Sequence, residues 1–66
     1  MGWDQREKYA EAGTGQVYYL YQDDGSGQWN IAIYVPGPDG AQLVSSWSTR
    51  QEAVDQLGNM RCRPMA

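Results

Sequence analysis

The sequence predicts an α+β fold: a three-stranded antiparallel meander with a C-terminal helix packed on one face, preceded by a short N-terminal helix or arm (αβββα). Three observations lead there. Residues 16–48 hold three runs rich in β-branched, aromatic and other apolar residues; the turn-forming stretches DDGSG and PGPDG separate them; and TRQE, just after, opens an amphipathic segment with a helix cap. At 66 residues there is room for one domain with a thin core, because a chain this short buries only about 60% of its unfolded surface.

The elements follow in order. Asp4 and Glu7 have capping-box spacing, Trp3 precedes them, and Gly13 stands where a helix would stop. A helix over 5–12 fits these signals, but its apolar residues are Tyr9, Ala10 and Ala12 alone, so residues 1–15 read as a short helix or an arm. Strands are expected over 16–22, 28–35 and 41–48, and loops this short make two consecutive hairpins. Pro36 and Pro38 lack the amide donor a ladder needs, so the second strand ends before them. Thr49 to Glu52 is a capping box, Ala53, Val54 and Leu57 share a helical face, and Gly58 is a stop. Residues 16–60 form the βββα domain, and 61–66 a flexible tail.

Turn lengths suggest the registers. With Gln22 opposite Gln28, Tyr21 faces Trp29, Tyr19 faces Ile31 and Val17 faces Ile33; with Val35 opposite Ala41, the third strand adds Leu43, Ser45 and Trp47 to that side. This side is the predicted core beneath the helix. The opposite side carries Tyr18, Leu20, Ala32, Tyr34 and Val44 among Asn30, Gln42 and Ser46, with no charge. A sheet face in water is normally polar, so a partner, or the N-terminal arm with Trp3 and Tyr9, is expected to cover it.

Tyr18, Leu20, Tyr34 and Val44 are therefore the candidate partner-binding residues, Tyr being a residue that interface centres favour. Asp23, Asp24 and Asp39, at the hairpin tips, could add ion pairs to a basic partner surface, although Asp-Gly turns account for aspartates there without any partner. The first strand, with no Lys, Pro or inward charge, also offers a free edge for homodimerisation into a six-stranded sheet or for a partner's strand.

Other chemistries find little support. The chain has no His and one cysteine, Cys62, so neither a zinc site nor an internal disulfide can be assembled, and a reducing, cytoplasmic location is expected. Arg61 and Arg63 flank Cys62 and would favour its thiolate, but no His is present to act as a base. DDGSG lacks the spacing of a calcium loop, and Gly13-x-Gly15 lacks the third glycine of a dinucleotide motif. No catalytic residue and no cofactor is assigned. Net charge is -3, and no Lys or Arg occurs between Tyr9 and Thr49, so the strands offer nothing to phosphates and direct nucleic-acid binding is disfavoured. No apolar stretch approaches the length of a membrane span, and MGWDQREKYAEA has no apolar core of a signal peptide.

The stretch SGQWNIAIYVPGPDG followed by STRQEAVDQLG resembles the N-terminal modules of HicB-type antitoxins, in which an acidic DG turn, a strand ending at Pro-Gly and a capped helix with an Ala-Leu face recur. The resemblance covers residues 23–58 and implies a toxin-binding βββα-containing module. It transfers no individual residue, since the family's glycine-cysteine pair after Pro-Gly and its DNA-binding portion do not occur here. In general character the chain is also similar to small acidic inhibitors of phages and mobile elements, including anti-CRISPR proteins, which occupy basic surfaces of nucleic-acid-handling complexes. The expected function is a noncatalytic protein-binding module, an inhibitor or regulator working through the outer sheet face and the acidic turns. The alternative is a structural homodimer or HicB-like module pairing through a sheet edge.

Overall fold

The structure, a computed structural model, describes residues 2–35 and 40–65. A 3-10 turn, Trp3–Gln5, leads into β1 (Glu7–Glu11), β2 (Val17–Gln22), β3 (Trp29–Tyr34), β4 (Ala41–Trp47), α1 (Arg50–Asn59) and β5 (Cys62–Pro64). The strands form one sheet in the order β4-β3-β2-β1-β5, with every neighbouring pair antiparallel. The α+β class holds, but the sheet has five strands where three were predicted.

Both additional strands come from segments expected to be helix, arm or tail. Glu7–Glu11 lies between β2 and β5, with Tyr9 buried in the core. The helix expected over 5–12 fails because its capping signal is spent on a single 3-10 turn with no side-chain cap, and a segment with so little helical apolar periodicity gains more from a ladder than from an isolated helix. Gly13 and Gly15, both at positive φ, then close a tight hairpin in which Glu11 N–H donates to Gln16 O and Gly15 N–H to Glu11 O. At the other end, Arg61 takes the left-handed conformation at φ 61° that reverses the chain after α1. Gly58 remains inside the helix, so the predicted stop falls short. Cys62 to Pro64 then pair with Glu11 to Tyr9.

Two register corrections decide the faces. Gln22 stands opposite Trp29, not Gln28. Asp23 N–H donates to Gln28 O, which leaves a four-residue loop where five were expected, and one residue of difference turns every β2 side chain to the other face. On β4, Trp47 and Ser45 face Trp29 and Ile31 as expected; a bulge at Ile31/Ala32 then sets Leu43 opposite Ala32, with Val44 as the additional residue.

α1 begins with the predicted capping box: Thr49 Oγ1 accepts from Glu52 N–H and Glu52 Oε1 accepts from Thr49 N–H. Its Ala53 and Leu57 are buried against Tyr9, Leu20, Ile31 and Cys62, with Tyr18, Trp29, Trp47, Val54 and Met60 packed around them. Glu7, on the same side, receives two hydrogen bonds from Arg50, at 2.6 Å and 3.1 Å, pinning the first turn of α1 to β1. Among the described residues no helix is long and apolar enough to cross a membrane.

Candidate partner-binding surface

The side of the sheet away from α1 is set by the ladder. Lys8 and Ala10 of β1 lie level with Tyr19 and Val17 of β2; Tyr19 and Tyr21 lie level with Ala32 and Asn30 of β3; Ala32 and Tyr34 lie level with Leu43 and Ala41 of β4. Arg63 of β5 joins them opposite Ala10.

The N-terminal segment covers the middle of this side. Trp3 packs on Tyr19 and Tyr21 with ring centroids 5.2 Å and 5.3 Å away. Arg6 lies over the Trp3 ring at 4.6 Å and near Tyr19 at 5.6 Å, while its Nη1 donates to Trp3 O. Deeper in, Ser46 Oγ donates to Asn30 Oδ1 and Asn30 Nδ2 to the Tyr21 hydroxyl, satisfying an amide that the sheet buries.

The β3–β4 corner is open. Tyr34, Leu43 and Val44 are 61%, 55% and 46% exposed. β4 is also an outer strand, seven residues long and without charge, whereas β5, the other edge, is three residues long and ends in proline. The free edge expected on the first predicted strand does not exist, because that strand is β2 and lies between β1 and β3.

The seven candidate residues therefore separate. Tyr34 and Val44 lie at the open corner. Leu20 is fully buried in the core and Tyr18 packs beside it, both turned inward by the loop length. Asp23 holds its own turn, its Oδ2 accepting from Ser26 N–H at 2.8 Å and Ser26 Oγ at 3.0 Å, and those bonds lower its pKa. Asp24 packs against Gly2, where a Cβ would lie 2.7 Å from Oδ2. Asp39 lies outside the described residues.

Sequence reasoning missed Arg6, Lys8 and Arg63 and put Leu43 on the core side; Trp3 was named as a cover for this side and lies on it, whereas Tyr9, named with it, is in the core. The signal for two of the missed cations was present: in REKYAE the alternation sends Arg6 and Lys8 to one side and Glu7, Tyr9 and Glu11 to the other, which is visible once the segment is read as a strand. At the β1–β5 end, Arg6, Glu7, Lys8, Tyr9, Pro64 and Met65 line a hollow of about 350 Å³. The sheet thus does carry cations, on the two strands that were not predicted.

Cys62 is buried on the helix side, and burial first, then Glu11, raises its pKa; the flanking arginines do not make it a thiolate. Among the described residues no three His, Cys, Asp or Glu side chains gather into a metal-binding group. Comparison with protein-family models, curated proteins and solved structures finds no match for the chain.

Proposed function

We propose that the protein is a noncatalytic protein-binding module, an inhibitor or regulator, that grips its partner with the β3–β4 corner of the outer sheet face. The observation that supports this reading is the exposure of three large apolar side chains, Tyr34 on β3 and Leu43 and Val44 on the neighbouring β4, on a domain with little apolar area to spare. A partner that handles nucleic acid, as in the anti-CRISPR-like resemblance, fits the acidic character of the chain as a whole.

The test is affinity capture from a host lysate with wild type, Tyr34→Asp and Leu43→Asp, all checked by thermal melts. The reading expects one set of proteins to be recovered by wild type and lost by both variants at unchanged stability. Recovery of the same proteins by all three would sink it.

The uncharged edge of β4 supports a second reading, a structural homodimer or HicB-like module pairing along that strand, since self-pairing there opposes no like charges. Light scattering decides between the two: twice the 7.4 kDa chain mass, reverting to one copy in Val44→Lys, favours the dimer.

A further inference from the structure

Resting on the reading of the outer face as a partner surface, we infer that the β1–β5 half of that face receives a short acidic protein segment, held by Arg6, Lys8 and Arg63. These are three of the chain's five cations; the ladder places Lys8 and Arg63 on one side of two adjacent strands, and Arg6, just before β1, lies over Trp3 and Tyr19 on that same side. The carboxylates of the same strands, Glu7 and Glu11, point to the helix side. Charge is thus segregated across the sheet of a protein whose net charge is -3.

None of the three cations meets a carboxylate among the described residues. Arg6 gives Nη1 to a backbone carbonyl and keeps Nε buried without an acceptor. Lys8 and Arg63 are exposed. The hollow of about 350 Å³ that Arg6 and Lys8 help to line contains one acidic residue, Glu7, and its two oxygens already accept from Arg50. The hollow opens at the end of the two strands, lined from both sides of the sheet, and among the described residues its Arg6 and Lys8 have no carboxylate partner, which leaves room and positive charge for an acidic side chain. Asp4, on the 3-10 turn, is exposed.

The same layout disfavours nucleic acid as the occupant. β2, β3 and β4 contribute no Lys or Arg, so a strand of phosphates crossing the face would find cations at one end alone, and phosphate affinity grows with the number neutralised. An acidic protein segment beside an apolar patch matches both halves of the face, the cations here and the Tyr34–Leu43 corner beyond.

The experiment is fluorescence anisotropy with labelled hexaglutamate and, in parallel, a labelled deoxythymidine hexamer. It is run at about 0.1 M salt, where a Debye length of about 10 Å screens the distant helix-side carboxylates more than cations in contact. Wild type is expected to bind hexaglutamate, and Lys8→Gln/Arg63→Gln to bind about tenfold more weakly. Gln51→Glu/Asn59→Asp lowers the net charge by the same two units, by adding two carboxylates at exposed helix positions, and is expected to bind as wild type does. No binding of hexaglutamate by wild type, equal weakening in both double variants, or tighter binding of the deoxythymidine hexamer would each overturn the inference. Leu43→Asp should leave hexaglutamate binding intact, so the apolar corner and the cation row fail or stand separately.

Discussion

Trp3 meets Tyr21 edge to face, with ring centroids 5.3 Å apart and planes at 87°, and the same indole tilts onto Tyr19. The outer face is therefore roofed, at its centre, by the chain's own first turn. Aromatic pairs contribute about 0.5–1.5 kcal/mol beyond the area they bury, so Trp3→Ala should lower stability by about 2 kcal/mol without changing the fold. Urea denaturation measures this. A loss below about 0.5 kcal/mol, the range of an ordinary surface substitution, would mean that the turn does not hold the face.

Leu20 and Ile31 stand opposite each other beneath α1, both with no exposed area. Leu20→Ala should cost about 2–5 kcal/mol, a large part of what so small a domain has. Tyr34→Ser and Leu43→Ser, on exposed side chains, should stay within about 0.5 kcal/mol of wild type. Thermal melts that reverse this order would place β2 in the other register.

The sequence was most legible where a pattern is local. Thr49 and Glu52 sit three apart whatever the rest of the chain does, so the capping box and the Ala53–Leu57 face of α1 were readable. Strands β3 and β4 could be located, and Trp29 opposite Trp47 was right. Less legible was anything fixed by counting across a loop: one residue in the Asp23–Gln28 turn exchanged Tyr18 and Leu20 for Tyr19 and Tyr21, and one bulged residue moved Leu43 outward. β1 and β5 were hidden for another reason. Each is strand by virtue of its neighbours, since Glu7–Glu11 has no β-branched residue and Cys62–Pro64 is too short to declare itself.

The Asp23 carboxylate accepts two hydrogen bonds from Ser26, and these lower its pKa. A depressed folded-state pKa means that the unfolded chain binds the proton more readily, so the contribution to stability is present above the usual aspartate range and is lost as pH falls through the folded value. Wild type should therefore exceed Asp23→Asn in melting temperature at neutral pH, and the gap should close on acidification below the ordinary aspartate pKa of 3.8. A gap independent of pH would show that the charge on Asp23 is immaterial to the turn.

Three groups act in the opposite direction at alkaline pH. Burial raises the pKa of Tyr9, with Glu7 adding to it and Arg50 partly opposing; burial, Glu11 and Cys62 raise Tyr18; burial and Glu11 raise Cys62. Raised folded-state values mean that the native protein keeps these protons after the unfolded chain has released them, so stability is complete below the unfolded values and declines as pH climbs. The decline should begin near the ordinary thiol value of 9.0 and steepen through the tyrosine value of 10.0. Denaturant midpoints measured across this range test the direction, and Cys62→Ala should delay the onset while leaving the tyrosine part in place. In parallel, a thiol reagent at neutral pH should label Cys62 slowly in the native protein and rapidly once urea unfolds it, because the buried thiol must lose its cover before it can ionise. Native-state labelling as fast as that of an unstructured peptide, or a midpoint that does not fall with pH, would mean that β5 does not keep Cys62 under α1.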